Sequence, residues 1–542
     1  MSIPTARGKR QRGDLFGQGD LLYQGLMRIG AQVRSQIFQY FDIEYIFEDI
    51  RMVNHGLKKA VDLHIAHLDH LVLSHDFGLK GKGVGILSRV SPLLRHFTFH
   101  SCWEPNVAPQ NNMTKIRTKI RELISRCSGS LTSIKNMAIV DQEDIEVLLE
   151  CKRLTHLVPS KTRTWEDLPM PWLSKLWCGL ELKQCLFPYG DKFCRLINEH
   201  PHLMKRPITR LYLGQYMDNV DAKLFDPGNW PGLQECSLCF LDDLAGLEYT
   251  IQRLSSEYSA TLTSLSLTIS NHSTDEPQVP FILDLPSLEY LSFKDNYGNG
   301  LPNMVGCWKL PKLKSLKITG FSANQLWSLM KETLNVHTLE LEWTRAFRLP
   351  SFEIFELVAP SLRTLILSNL GWDQRALLSW FPSTLTSLDV SLTYPHLYLD
   401  EDAKNLVNLI GKFTSLKHLF VRNRPCGTLS TLRFDVPVIH YQQLQTLSIS
   451  NCPFLSPLLS SIHAPRLMDC TLFFDTFTFL IDGLLDFIHR SPHLSMIHLH
   501  HVSDRKTEGS YPPLLNLRRL YCSNVHPFTW SVLQRNSILK TV

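Results

Sequence analysis

Four short stretches hold residue types whose spacing could do chemistry. GLKGKGVGIL, residues 78–87, combines glycines and lysines as a phosphate-cradling loop does. It lacks the Gly-Lys-Ser/Thr ending of one such loop and the full Gly-x-Gly-x-x-Gly spacing of the other, so it reads as a flexible turn. Cys236 and Cys239 have the spacing of half a zinc site, but no second pair accompanies them, and Cys236 falls where the chain elsewhere repeats leucine. A core thiol is the expectation. In HLHH, residues 498–501, His498 and His500 would share one face of a strand, close enough to capture a metal; an exposed polar pair is the simpler reading. GKRQR, residues 8–12, lies in a glycine-rich tail and reads as solvated chain, with a weak nuclear signal as the other possibility. No serine elbow and no His-Glu-x-x-His occurs. The expectation is therefore a protein without catalytic residues, metal site or cofactor.

What would position such residues is a repeat. One phrase returns along the chain: Leu, two residues, Leu, one residue, an apolar residue. It reads LDHLVL from 68, LRHFTF from 94, LTSIKN from 131, LTHLVP from 154 and, loosely, WCGLEL from 177. It continues as ITRLYL (208), LQECSL (233), LTSLSL (262), LEYLSF (288), LKSLKI (313), VHTLEL (336), LRTLIL (362) and LTSLDV (385). LKHLFV (416), LQTLSI (444), LMDCTL (467), LSMIHL (494) and LRRLYC (517) close the series. Most copies start roughly 23 to 31 residues apart. The last two apolar residues of each phrase lie on one face of a short strand, and the residue between them points the other way. One such strand cannot bury its face, whereas stacked copies share a core. Helical stretches are expected between phrases, at 322–334, 373–381 and 480–492, with caps at Ser or Asp and stops at Pro. Pro often stands just before the phrase, as in LPSLEYL and SPHLSMI, where a turn must end one element before the next begins.

The outward residues of the phrases are the candidate target-binding set. We single out Tyr212, Glu340, Glu342, Phe420, Arg422, His498, His500 and Tyr521. Glu340 and Glu342 would make an acidic spot. The others would make an aromatic, partly cationic surface of the kind protein interfaces favour.

Composition sets bounds. The chain has 542 residues, too many for one ordinary core, so several domains or a repeat array are required. It is 44% hydrophobic and 20% charged, which fits a folded chain. A net charge of +5 is small for this length and does not call for a nucleic-acid partner. The 13 cysteines are scattered, mostly in apolar runs, and no signal peptide is evident, which points to a reducing compartment, cytoplasm or nucleus. The best membrane candidate, TFTFLIDGLLDFI, is broken by Asp482 and Asp486, so no membrane span is expected.

The repeats resemble leucine-rich repeats in their irregular, long form. Asn369, Asn451 and Asn524 stand where that family carries asparagine after the phrase, and many copies lack it. The resemblance implies an α/β fold, a leucine-rich-repeat solenoid or horseshoe, over residues 63–542. Residues 26–60 do not carry the phrase. Ile29, Val33, Ile37 and Phe41 form one helical stripe and Ile46, Ile50, Val53 and Leu57 a second, which predicts a small all-helical segment over 21–62 behind a basic tail at 1–20. This segment resembles the F-box. Ile29-Gly30 stands for its opening Leu-Pro, Val33 for an apolar helix position, Ile37-Phe38 for its central pair, Phe41 for the following Leu, and Val53-Asn54-His55 for its closing turn. Gly30, Gln32, Arg34 and Leu57 depart from the usual Pro, Glu, apolar residue and Trp. An F-box followed by leucine-rich repeats implies a non-catalytic substrate receptor of a cullin–RING ubiquitin ligase. Ile29, Val33, Ile37, Phe38, Phe41 and Val53 would hold its Skp-type adaptor, and the repeats a target protein. The alternatives are a leucine-rich-repeat scaffold whose N-terminal helices only cap the solenoid, and an enzyme or small-GTPase regulator acting through a rim Arg or Asn. No single residue points to the last.

Overall fold

A computed structural model describes residues 68–73, 90, 92–99, 110–159, 168–187, 190–217, 222–241, 244–270, 282–295, 308–320, 335–342, 360–371, 377–379, 381–393, 400–423, 438–452, 455–474, 479–481, 483–504, 511, 514–525 and 527–536. The expected helical segment at 21–62, the glycine-rich turn at 78–87 and the helix at 322–334 lie outside these residues.

The described chain is mixed α/β with parallel strands. It divides into two compact units. Unit one runs to Leu224 and takes in Gly228–Leu233; unit two comprises Phe225–Pro227 and Gln234–Val542. Unit one contains β1 (His70–Leu73), β2 (His96–Phe99), β3 (Ser133–Met137), β4 (His156–Pro159), β5 (Gln184–Phe187) and β6 (Arg210–Met217). β1 to β4 pair in chain order, all parallel, and β5 pairs parallel with β6. Unit two contains β7 (Glu235–Leu241), β8 (Ser264–Ser270), β9 (Tyr290–Asp295), β10 (Ser315–Thr319), β11 (Thr338–Glu342), β12 (Thr364–Leu370) and β13 (Ser387–Leu392). β14 (His418–Asn423), β15 (Thr446–Ser450), β16 (Asp469–Phe473), β17 (Met496–His500) and β18 (Arg519–Ser523) continue this series of longer strands. Each pairs parallel with the next in chain order.

Parallel neighbours need a crossover, and helices supply many of them. They are α1 (Gln110–Arg126), α2 (Gln142–Glu150), α3 (Met170–Gly179), α4 (Gly190–Glu199), α5 (Leu244–Glu257), α6 (Asp400–Gly411), α7 (Ser456–Ser461) and α8 (Leu484–His489); α9 (Pro527–Asn536) follows the last strand. The helix expected over 480–492 is shorter, because Phe479–Ile481 is a strand paired with Val502–Asp504, and α8 starts after Gly483, whose φ of 74° an L-residue rarely adopts.

Each strand begins two residues into its phrase, with one exception. Trp177 of WCGLEL lies in α3, and the strand of that repeat starts at Gln184. The phrase there is LKQCLF, from Leu182, with Cys185 at its fourth position. Starts at Leu154, Leu182 and Ile208 are also more evenly spaced than starts that include Trp177. Phrase positions four and six face the core: Leu339, Leu341, Leu365, Leu367, Leu388, Val390, Leu419 and Val421 are fully buried. Each contributes roughly 1.5–3 kcal/mol by leaving water.

Register is locked at phrase position two. In successive repeats the amides of positions two and three both donate to the position-two carbonyl of the repeat before: Lys314 and Ser315 to Glu289, His337 and Thr338 to Lys314, Met468 and Asp469 to Gln445, Arg518 and Arg519 to Ser495. Lys183 donates in the same way to Thr155, which fixes the corrected phrase. Before many strands the first phrase residue closes a turn onto the carbonyl three residues back, as Leu288 does to Leu285, Leu313 to Leu310 and Leu494 to Ser491. Proline in LPSL, LPKL and SPHL presets the turn's second residue.

At phrase position eight the backbone takes positive φ, just past the strand at Gly320 (74°), Asn451 (54°), His501 (52°) and Asn524 (54°) and inside β12 at Asn369 (59°), where the register with β13 shifts. The three asparagines singled out from the sequence all sit here. The amides of Gly320, Asn451 and His501 reach the carbonyls of Glu342, Phe473 and Ser523 on the next strand. Only Gly, and less freely Asn, Asp or His, enters this region cheaply.

In unit one α1 and α2 are tied by charge. Asp144 is almost fully buried and accepts from Arg117 (2.7 Å), Arg121 (2.8 Å) and the Val140 amide (2.9 Å). Asp141 caps α2 by accepting from the Asp144 amide (3.1 Å) and pairs with the same two arginines. Arg121 also pairs with Glu143. Desolvation opposes the charge on Asp141, yet the Asp144 amide, Arg121 and Arg117 outweigh it and hold the carboxyl below its usual range.

Three outcomes are expected. Asn451→Ala destabilises by about 1 kcal/mol and Asn451→Gly by less, read as urea-unfolding midpoints; equal losses would remove the backbone explanation. Asp144→Ala lowers stability by about 3 kcal/mol, because two arginines lose a buried partner. Asp141→Asn keeps the cap and removes the charge. Its deficit is full above about pH 4, the unfolded carboxylate range, and vanishes as pH falls through the lower folded value, measurable by thermal melts across acid pH.

Candidate interaction surface

Outward positions three, five and seven of each phrase form three columns across the strands. In unit two the register aligns Ser237, Ser266, Ser292, Lys317, Glu340, Ile366, Asp389, Phe420, Ser448, Thr471, His498 and Tyr521 in the central column. The position-seven column includes Glu342, Ser368, Ser391, Arg422, Ser450, Phe473 and His500. Strands lie about 4.8 Å apart, so each column is a ladder of close side chains. Most members are half-buried; Tyr521, on the last strand, is 54% exposed.

The expected acidic spot carries its own counter-charges. Glu340 accepts from Lys317 at 2.6 Å, and Glu342 accepts from Thr319 (3.3 Å) and Asn369 (3.4 Å). Lys317 loses solvation, but the Glu340 carboxylate more than compensates and raises its ammonium above the usual range.

The expected aromatic and cationic surface resolves into two groups. Phe420 and Arg422 share β14, and Arg422 pairs with Asp389 on β13. His498 packs edge-on to Tyr521 with ring centres 5.8 Å apart. His500 stacks on Phe473 at 4.4 Å and donates through Nδ1 to the Phe474 carbonyl (3.0 Å). Ser448, Ser450 and Thr471 separate the groups. Phe473 is the member that sequence reasoning missed. Phe473 stands at position seven of LMDCTLFF, the position that singled out Glu342, Arg422 and His500, so the signal was present. Tyr212 is a half-buried member of β6 in unit one. Ile29, Val33, Ile37, Phe38, Phe41 and Val53 lie outside the described residues.

Of the four motifs with chemical potential, the cysteine pair and HLHH fall within the described residues. Cys236 and Cys239 are buried, and burial pushes both thiols up. Cys185, Cys236 and Cys470 each occupy phrase position four, where leucine stands in most repeats, and burial raises Cys470 to about 12. Among the described residues no group of three or more His, Cys, Asp or Glu is placed to hold a metal ion. No helix among them is long and apolar enough to cross a membrane.

No protein-family model matches the sequence, and no curated protein matches it.

Burial predicts thiol reactivity directly. In native protein, iodoacetamide modifies exposed Cys178 and leaves Cys185, Cys236 and Cys470 intact until denaturant is added, as peptide mass spectrometry reads. Early labelling of Cys236 would show that the repeat core opens.

Proposed function

We propose that the repeated unit is a leucine-rich repeat, that residues 63–542 form a horseshoe-shaped solenoid, and that the chain is a non-catalytic substrate receptor of a cullin–RING ubiquitin ligase. The observation that carries this reading is the order of two resemblances. An F-box-like stretch at residues 29–55 stands directly before repeats that begin at Leu68. Such a receptor makes no bond itself. It holds a target's lysine near the ubiquitin-charged enzyme, so the gain is effective concentration. The outward columns support the reading because they offer a partner a broad, register-fixed surface with aromatic and arginine side chains at defined spacing.

On this proposal Ile29, Val33, Ile37, Phe38, Phe41 and Val53 supply the apolar anchors for the Skp-type adaptor, with Ile37 and Phe38 at the centre. Buried aliphatic and aromatic anchors of this kind dominate binding energy. The expected result is that the wild-type chain captures the adaptor from cell extract and Ile37→Asp with Phe38→Asp does not, while circular dichroism of the two is the same. Capture by neither would replace the receptor with a scaffold whose first helices cap the solenoid.

A further inference from the structure

Unit one carries a second outward surface, different in charge from the one above. Phrase position three aligns His70, His96, Ser133 and His156 across β1 to β4, and Gln184 with Arg210 across β5 and β6. His70 and His96 lie edge-on at 5.9 Å. Position five adds Lys135, and Lys183 stands at position two beside Gln184. His70, His96, Lys135, Lys183 and Arg210 are exposed and His156 is half-buried. Hydroxyls orient two of the imidazoles: His70 Nε2 meets Thr98 Oγ1 at 3.2 Å, and His156 Nδ1 meets Thr155 Oγ1 at 2.8 Å.

These cations repel one another. Partial desolvation first, then His96 and Lys135, hold His70 below the usual imidazole range, with Asp69 the opposing carboxylate among the described residues. Asp69 itself pairs with Arg95 at 3.5 Å. Burial first, then Arg210, Lys135, Lys183 and His96, lower His156. Among the described residues those are the charged groups that act on the two rings, and cations outnumber carboxylates around both. A like-charged set on one solvated face is relieved by an anionic partner.

The neighbouring column decides the kind of anion. Position five presents Val72, Thr98, Lys135 and Val158 across β1 to β4 and Leu186 with Tyr212 across β5 and β6, so apolar side chains stand beside the basic column, about 6.6 Å along each strand. Val72 is largely exposed. A sugar–phosphate chain has no use for aliphatic side chains, and three of the basic residues are histidines rather than the Lys and Arg that phosphate binding uses. An acidic polypeptide with interspersed apolar residues satisfies both columns.

We propose that the outward face of β1 to β6 binds an extended acidic segment of a partner protein, and that this binding strengthens as pH falls below neutral. It does not depend on adaptor binding. Carboxylates beside His70 and His156 favour the protonated rings, so binding takes up protons.

The test is fluorescence anisotropy with the full chain and a fluorescein-labelled peptide of glutamates interspersed with leucines. Its counterpart with lysine for glutamate and an oligouridylate serve as competitors. The acidic peptide should bind about fivefold tighter near pH 6 than near pH 7.5, and should resist both competitors. Lys135→Glu with Arg210→Glu should weaken it about tenfold, while Lys294→Glu on β9 should change it less than about twofold. His70→Asn with His156→Asn should flatten the pH dependence. Thermal melts check that each variant folds, and the wild-type pH profile decides independently of them. Binding that ignores pH, or survives Lys135→Glu with Arg210→Glu, overturns the proposal. Tighter binding of the oligouridylate through the same residues makes the face a nucleic-acid site instead and overturns it as well.

Discussion

One carbonyl per repeat governs the rest of the structure. At phrase position two it accepts amides from two consecutive residues of the following repeat, and this recurs in both units. A strand slipped by one residue would lose that shared acceptor and also turn its buried leucines to solvent. Hydrogen bonding and burial therefore specify the same register. Everything on the outward face follows. Side chains of equal phrase position stand above one another, and the chemistry of the surface is set by what each column holds.

The columns differ in how their charge is settled. Along unit two, two pairs of charged outward residues meet within the sheet: Lys317 with Glu340, and Arg422 with Asp389. These pairs stiffen the face and leave aromatic and small polar groups to meet a partner. In unit one the cations cluster with few carboxylates among them. The same scaffold thus presents a self-neutralised surface in one unit and an unbalanced one in the other. The receptor function proposed above needs only that some such surface select a target.

Much of this was legible in the sequence because the repeat couples a local pattern to a fixed conformation. Nearly all strands start two residues into the phrase, and the asparagines noted after it at 369, 451 and 524 stand where the backbone takes positive φ. The failure at Trp177 has a physical cause. Apolar residues three apart suit a helix as well as a strand, and Trp177 and Leu180 satisfy both, so only the turn and the shared carbonyl at Lys183 distinguish them. The pairing of the acidic spot was not legible either, because Lys317 and Glu340 lie one repeat apart and meet only once register is known. The anchors at 29–53 were read by resemblance alone. The basic face of β1 to β6 escaped notice because its residues are ordinary one at a time and form a set only when aligned.

The direction of the shared hydrogen bond also sets an order in time. Each repeat donates to a carbonyl that precedes it in the chain, so during synthesis the acceptor has always left the ribosome before its donors. No repeat waits for a distant segment to emerge, and contacts span about one repeat, which keeps contact order low. Growth can then proceed by addition to the last finished strand, with one growing edge at any moment. A long parallel sheet, otherwise slow to assemble and exposed to aggregation, becomes a structure that is built in the order in which it is read.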